Sequence, residues 1–318
     1  MNKHRILIAL ALPLSLATVS CQSAPASSSS SATPHTQHVW GPWIRDEDEH
    51  VRNCTICGTS EFGPHEGGLC DVCADFRVLA LGFLEGGDGA HGDFAKECNQ
   101  WFPQQGKENC FWYEFSTDFG KLNPETLSHY EAVMFINNMP WVKEQRDAFQ
   151  EYMENGGGWI GFHVCAFTTD SNDWPWYHEE FLGSGNFRTN TWNPTPETLK
   201  VETHNHPATE NLPDTFLTSP NEWYGWTNDL RENDDIEILL SLDPSTFPVG
   251  DRVGEIWYNE SGEDYYPVAW ANKNYNMVYM NMGHNLMSYN DFEKTSKTFS
   301  SELENQFVLD ALYSVALG

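Results

Sequence analysis

Four cysteines near the N-terminus have the spacing of a metal site. Cys54 and Cys57 form one Cys-x2-Cys pair, and Cys70 and Cys73 form a second pair after twelve intervening residues. Each pair can offer two sulfur ligands to one ion, which suits tetrahedral coordination by four thiolates. The spacing therefore predicts a structural zinc site. Iron bound by the same sulfurs, or two disulfides in an oxidising compartment, are alternatives that the sequence leaves open.

Three histidines and one glutamate are the candidates for catalysis in the rest of the chain. His163 and His284 each end a predicted strand, His206 precedes Pro207 in an extended loop, and Glu222 supplies a carboxylate. Imidazoles with one carboxylate can hold a divalent metal that keeps an open position and polarises a carbonyl or hydroxyl group. Without a metal, the same residues suit general acid–base catalysis, because histidine titrates near neutral pH.

Other side chains are candidates for binding a substrate beside these groups. Asp88 and His91 belong to a glycine-rich loop that begins at Glu85, and Asn137 follows a predicted strand. The loop lacks a lysine, which argues against phosphate binding. Aromatic rings can stack on a ligand ring, and the candidates for this role are Trp223, Tyr224 and Trp226.

The remaining histidines and cysteines have more ordinary interpretations. We expect His178 and His204 to lie at the surface. Cys98 and Cys110 could pair with each other, which would leave Cys165 as an odd cysteine.

Alternating strands and helices must position these residues. Apolar runs at 77–82, 132–136 and 159–163 are typical of buried parallel strands, and helices are predicted at 93–102 and 142–155. This alternation predicts an α/β doubly wound parallel sheet, with ligands beyond the carboxyl ends of its strands. A β-rich extension follows, with predicted strands at 198–202, 236–242, 255–259, 267–271 and 277–282 and a last helix over 301–317.

The first residues are typical of an export signal rather than of a fold. Lys3 to Arg5 is positively charged, and the apolar run Ile6 to Val19 is too short to span a membrane as a stable helix. The run leads into Cys21 and resembles a bacterial lipoprotein signal, in which Cys21 would be lipidated. By the same resemblance, Gln22 indicates the outer membrane, with plain secretion as the alternative. The predicted segments are a signal peptide at 1–21, a Ser/Ala/Pro-rich tether at 22–39, a four-cysteine segment at 40–75 and a main domain at 76–318.

The charge of the chain excludes two classes of partner. The sequence has 46 acidic against 17 basic side chains among 318 residues, a formal net charge of −29. A field of this sign repels nucleic-acid phosphates and anionic lipid headgroups, so we expect no nucleic acid and no membrane contact beyond a lipid anchor. The sequence does not indicate an oligomeric state.

Several short motifs, in this order, resemble the ThuA-like (trehalose-utilisation) family. They are Asn155-Gly-Gly-Gly-Trp-Ile-Gly-Phe-His163, His206-Pro-Ala-Thr209, Asn221-Glu-Trp-Tyr224, and Pro267-Val-Ala-Trp270 with Gly283-His284. The resemblance covers about residues 76 to 317. It implies a flavodoxin-like sheet similar to that of class I glutamine amidotransferases. It also implies a role in bacterial use of trehalose and related disaccharides through 3-keto sugars.

One departure from the amidotransferase pattern bears on the activity. His163 stands where those enzymes place their nucleophilic cysteine, and Cys165 follows two residues later. We therefore do not expect glutamine hydrolysis. The leading hypothesis is an envelope enzyme of the lyase, isomerase or hydrolase type that acts on a disaccharide or 3-keto sugar. The alternatives are a carbohydrate-binding lipoprotein without turnover, and a redox or scaffold protein that uses the four cysteines.

Overall fold

The computed structural model describes residues 38–45, 49–64, 74–85, 89–191, 194–247, 265–284, 287–288, 293–294 and 298–318. The chain divides into two compact units, Met1–Pro64 and His65–Gly318. Several predictions lie outside the described residues: the signal peptide, Cys21, nearly all of the tether, Cys70, Cys73, Asp88 and the strand at 255–259. Among the described helices, none combines the length and apolar character that a membrane crossing requires.

The first unit contains a three-stranded antiparallel sheet. Its strands are β1 (Trp40–Arg45), β2 (Glu49–Cys54) and β3 (Ser60–Pro64), with β2 in the centre. The first Cys-x2-Cys pair occupies the turn between β2 and β3. Gly58 closes this turn with a φ of +72°, which only glycine adopts at little cost.

The second unit is built on a nine-stranded sheet. In chain order, the strands of this sheet are β4 (Phe76–Leu81), β5 (Phe111–Ser116), β6 (Ala132–Phe135), β7 (Gly158–Phe162), β9 (Thr198–Val201), β10 (Thr215–Leu217), β12 (Ile236–Leu242), β13 (Pro267–Asn272) and β14 (Tyr275–Met280). Their order across the sheet is β10-β9-β12-β13-β14-β7-β6-β4-β5. Two small sheets pair β8 (Phe187–Asn190) with β11 (Tyr224–Trp226) and β15 (Met287–Ser288) with β16 (Glu293–Lys294).

The sheet changes direction at β14. Strands β5, β4, β6, β7 and β14 are parallel, whereas β13, β12, β9 and β10 continue from β14 as successive antiparallel neighbours. This confirms the predicted α/β sheet with a β-rich extension. Every residue of β6 and β7 is buried, as expected for the interior strands of a parallel sheet whose two faces are covered.

The helices are α1 (Gly89–Asn109), α2 (Pro124–Leu127), α3 (Lys143–Glu154) and α4 (Glu302–Leu317). Helix α1 is about twice as long as the predicted segment 93–102 and continues through Pro103. Burial of Phe94, Cys98 and Phe102 on one face outweighs the cost of the proline.

A π-helical turn at Trp176–Phe181 was not predicted. Its aromatic side chains pack among one another and against Phe149 and Trp159 in the core. His178 belongs to this turn and is buried, so the prediction that it lies at the surface is wrong. His204 is exposed, as predicted.

Candidate functional site

His163 directly follows β7, at the carboxyl edge of the parallel strands. Its φ of +41° lies in the left-handed region, which is uncommon for a residue with a side chain; such residues cluster at functional sites. The hydroxyl of Tyr279 on β14 donates a 2.8 Å hydrogen bond to the carbonyl oxygen of His163. Burial raises the pKa of Tyr279 well above its ordinary range, so the hydroxyl keeps the proton that it donates.

Glu222 lies between His163 and His284. Its Oε2 atom is 3.3 Å from Nε2 of His163 and 3.6 Å from Nε2 of His284. Its Oε1 atom accepts a 2.6 Å hydrogen bond from the side-chain amide of Asn190 at the end of β8. The carboxylate is therefore oriented from one side by Asn190 and presents its other oxygen to two imidazoles.

His284 comes four residues after the end of β14. The preceding Gly283 has a φ of +136°, and a Cβ atom there would lie 2.9 Å from the ring of Phe94 and 3.2 Å from Cβ of His163. Only glycine allows the chain to pass this close to His163. The close approach brings His284 back towards the carboxyl edge of β7.

His91 enters the group from the first turn of α1. Its ring centroid lies 4.8 Å from that of His284 and 5.2 Å from that of His163. Asn137, which follows β6, donates from Nδ2 to the carbonyl oxygens of Phe83 and His91 and accepts from the N–H of Phe83. These three hydrogen bonds of Asn137 fix the backbone that carries His91.

The geometry of this histidine–glutamate centre fits a divalent metal ion. One ligand atom each from His91, Glu222 and His284 lies within 4.8 Å of the others. With metal–ligand distances of about 2.0–2.1 Å, two nitrogen or oxygen ligands of a tetrahedral ion are about 3.3 Å apart. Within this group, the 3.6 Å separation of Oε2 of Glu222 from Nε2 of His284 is close to this value. Imidazole and carboxylate ligands suit zinc and similar ions.

His206 is not part of this centre, which corrects the prediction that it acts with the other residues. It lies beside Tyr275 and Asn276 at the start of β14, whereas His284 follows the end of that strand. The reason is strand direction: β9 runs opposite to β14, so the loop after β9 lies at the far edge of the sheet. Nδ1 of His206 accepts a 3.1 Å hydrogen bond from the N–H of Ala208 within this loop.

The three aromatic candidates have different positions. The ring of Tyr224 packs against that of His163 with a centroid distance of 4.0 Å. Trp223 and Trp226 are fully buried, which corrects the expectation that they stack on a substrate, because neither ring has an open face. The indole N–H of Trp223 donates to the carbonyl oxygen of Thr195, and Trp226 packs against Trp270.

The cysteines of the second unit do not supply a nucleophile to this centre. Cys165 is fully buried, and burial raises the pKa of its thiol far above the ordinary value. Cys98 is a free thiol while Cys110 is disulfide-bonded, so these two do not pair with each other, contrary to the pairing that the sequence allowed.

Residues that the sequence did not indicate complete the surroundings of the centre. Asn190 orients Glu222, and Asn221 accepts a hydrogen bond from the N–H of Gly283. Asn221 belongs to the motif Asn221-Glu-Trp-Tyr224. The sequence does not show whether an asparagine in a loop positions other residues, because asparagine is common in loops. Asn190 has no sequence signal at all.

Comparisons with known proteins identify the family of the chain. One solved structure, described as a ThuA-like protein from Bacteroides uniformis, is 35% identical to the chain, with a TM-score of 0.66, and covers 76% of this chain and 92% of its own. A second ThuA-like structure, from Parabacteroides merdae, is 14% identical with a TM-score of 0.51 and covers 76% and 90%, respectively, which supports the fold alone. No curated protein gives a match. The sequence model of the ThuA family, described as trehalose utilisation, matches residues 83–298. The chain therefore belongs to the ThuA family.

Proposed function

We propose that the protein is a carbohydrate-processing enzyme that acts on a disaccharide or its 3-keto derivative at the histidine–glutamate centre. Membership of a family described as trehalose utilisation indicates a carbohydrate-related role. The observation that carries the proposal is the meeting of His91, His163, Glu222 and His284, which come from four separate segments of the chain.

The residue types support acid–base chemistry at a carbonyl. A 3-keto sugar has acidic protons on the carbon atoms beside its carbonyl group, so its enolisation requires a base that removes one of them. Without a metal, Glu222 and the imidazoles beside it are the candidates for taking and returning this proton. A divalent ion held by His91, Glu222 and His284 would supply Lewis-acid polarisation of the carbonyl oxygen. Elimination and isomerisation of a keto sugar begin with such a step, and hydrolytic cleavage could follow it.

The burial of the centre favours catalysis over binding alone. A binding protein can hold a sugar with exposed aromatic rings and amides, and gains little from a buried cluster of titratable groups. Here His163, Glu222 and His284 are all buried, and His163 has a strained backbone. Such an arrangement is costly to fold, and it is typical of sites that perform proton transfer.

The cellular location is part of the proposal. The lipoprotein-like signal around Cys21 supports export and anchoring by lipid in the cell envelope, and Gln22 favours the outer membrane. Labelling with radioactive palmitate, compared between the wild type and a Cys21→Ser variant, tests the anchor. Equal labelling of both proteins would contradict it.

The decisive experiment follows trehalose and 3-keto-trehalose by NMR in the presence of the purified protein, with and without added Zn²⁺ or Mn²⁺. We expect product only with the wild type and with the control variant His129→Ala, whose histidine is exposed on another part of the unit. His163→Ala and His284→Ala should lose turnover by at least about a hundredfold. Their thermal midpoints should remain close to that of the wild type when all proteins are metal-free.

Three results would contradict the proposal. Turnover that survives in both histidine variants would show that the chemistry occurs elsewhere. A large loss of stability in both would show that the histidines are core residues. Sugar binding by calorimetry without any product would identify a carbohydrate-binding protein instead.

A further inference from the structure

We infer that His38 binds a metal ion together with Cys54 and Cys57, so that the metal site of the first unit includes an imidazole ligand. The spacing of the four cysteines gives no sign of this histidine, which precedes the first pair by sixteen positions. The inference is independent of the function proposed for the second unit.

Strand pairing brings His38 to the cysteine pair. Strands β1 and β2 are antiparallel, and Trp40 at the start of β1 lies opposite Cys54 at the end of β2. Beyond this point the carbonyl oxygen of Val39 accepts hydrogen bonds from both the N–H (2.8 Å) and the hydroxyl (3.0 Å) of Thr55. The backbone that leads to His38 is therefore attached to the turn that carries the two cysteines.

The ligand atoms are at distances that suit one ion. Nδ1 of His38 is 3.5 Å from Sγ of Cys57, and one ligand atom from each of His38, Cys54 and Cys57 lies within 4.8 Å of the others. For zinc, with bonds of about 2.3 Å to sulfur and 2.0–2.1 Å to nitrogen, the sulfur–nitrogen edge of a tetrahedron is about 3.6 Å. The His38–Cys57 distance agrees with this edge.

Backbone hydrogen bonds hold the turn that carries the two cysteines. The N–H of Cys54 donates a 2.8 Å bond to the carbonyl oxygen of Thr59, and the N–H of Gly58 donates a 2.9 Å bond to the carbonyl oxygen of Cys54. The turn also depends on the positive φ of Gly58. Both sulfurs are therefore carried by one short, hydrogen-bonded turn.

The imidazole of His38 is also held in place. Its ring stacks on that of Trp40 with a centroid distance of 4.9 Å and an angle of 27° between the planes. The guanidinium of Arg52 lies 5.0 Å from the centre of the Trp40 ring, so this tryptophan is itself fixed by a cation–π contact. Contacts that orient a histidine ring are typical of metal ligands.

A metal would also serve the stability of the first unit. A three-stranded sheet of five- and six-residue strands buries little apolar surface, and units of this size commonly depend on a metal or a disulfide. An ion bound by His38 and the β2–β3 turn would join the start of β1 to the end of β2. Metal binding and folding of this unit would then be linked.

Cobalt titration of the purified full-length protein tests the inference. Cobalt bound to thiolates gives a sulfur-to-cobalt charge-transfer band, whereas the histidine–glutamate centre contains no sulfur and does not contribute to it. We expect this band in the wild type and in the exposed-histidine control His129→Ala. It should be lost in a Cys54→Ser, Cys57→Ser double variant.

The variant His38→Ala distinguishes this site from one made of cysteines alone. We expect its cobalt affinity, measured at the charge-transfer band, to fall at least about tenfold, with altered visible d–d bands. A His38→Ala protein with the affinity and spectrum of the wild type would overturn the inference and favour four thiolates. A wild type that shows no charge-transfer band after reduction would overturn it as well.

Discussion

The side-chain oxygen of Asn221 accepts a 3.1 Å hydrogen bond from the backbone N–H of Gly283. Asn221 directly precedes Glu222, and Gly283 directly precedes His284, so this one bond joins the two loops that carry the carboxylate and an imidazole of the centre. The amide of Asn221 also donates to Oε1 of Glu304 on α4, over 2.8 Å. The last helix of the chain thereby helps to position the candidate site.

Replacement of Asn221 by alanine should separate these loops. Asn221→Ala leaves the Gly283 N–H and one Glu304 oxygen without the partner that each has now, so we expect a loss of about 2–3 kcal/mol in the free energy of unfolding. Metal affinity at the histidine–glutamate centre should fall as well. Urea denaturation and zinc titration measure the two effects. In the control Asn211→Ala, at an exposed position, both should stay at wild-type values, and equal results for the two variants would contradict the positioning role.

Zinc should stabilise the second unit through Glu222. An ion that binds only the folded state at a hundred times its dissociation constant adds about 2.7 kcal/mol of stability. We expect Glu222→Gln to lose this gain, because it removes the charged ligand but keeps the size of the side chain. Thermal unfolding with zinc and with a chelator measures the difference, in a Cys54→Ser, Cys57→Ser background in which the proposed site of the first unit cannot bind the ion. The exposed control Glu210→Gln should respond as the wild type does, and an undiminished zinc response in Glu222→Gln would exclude this residue as a ligand.

Trp141 should contribute to sugar binding if the proposed function is correct. Its side chain is 66% exposed in the loop after β6, and its indole N–H donates to Oδ1 of Asn138 over 3.2 Å, which fixes the ring. Because an aromatic contact contributes about 0.5–1.5 kcal/mol beyond burial, Trp141→Ala should weaken binding of trehalose about two- to tenfold. Calorimetry measures this change. Leu217, 64% exposed on β10, provides the control Leu217→Ala, and an equal loss in both variants would refute a specific contact.

His178 should reduce stability in acid. Burial lowers its pKa to about 4, with Arg146 acting in the same direction and Asp173 and Glu179 opposing it. The unfolded chain takes up the proton near pH 6.5, whereas the folded chain takes it up only near pH 4. The free energy of unfolding therefore has its full contribution from neutral His178 above pH 6.5, and it falls by up to about 3 kcal/mol as the pH decreases towards 4. His178→Phe should remove this part of the dependence in urea denaturation, and an unchanged slope would contradict the assignment.

Glu197 should lower the free energy of unfolding as the pH rises, over a pH range that overlaps with that of His178. Burial raises the pKa of its carboxyl group to about 7, and Oε1 has no hydrogen-bond partner among the described residues. The folded chain therefore keeps the proton up to about pH 7, whereas the unfolded chain releases it near pH 4.5. The free energy of unfolding has its full contribution from protonated Glu197 below pH 4.5, and it falls by up to about 3 kcal/mol as the pH rises to 7. Glu197→Gln should flatten this decrease, and a steeper decrease would show that the carboxylate is favoured in the folded state.

Strand ends explain which site residues were predictable. His163 and Glu222 follow strands that point towards the same edge of the sheet, β7 and β10, and His284 follows β14, which is parallel to β7. A histidine that follows an apolar run is enough to predict site residues at His163 and His284. The sequence predicts the wrong position for His206, because it does not reveal that β9 is antiparallel to these strands.

Burial explains the other differences. Tryptophan is a residue type typical of ligand-binding surfaces, but neighbouring residues in the fold cover the rings of Trp223 and Trp226. His178 is polar and was therefore placed at the surface, yet the π-helical turn carries it into the core. Neither result follows from residue type, because burial depends on segments distant in the sequence. The same is true of His38, which reaches the cysteine pair only through the register of β1 and β2.

The place of β14 in the sheet has a consequence for the order of folding. This strand comes late in the chain and inserts between β7 and β13, and only then can His284 meet His91, about 190 positions earlier. Contacts of such high sequence separation form slowly, because closing long loops costs chain entropy before any contact compensates for it. We therefore expect the histidine–glutamate centre to be among the last parts of the molecule to assemble. Its metal affinity would report a completed fold, and a partly folded chain would not yet compete for the ion.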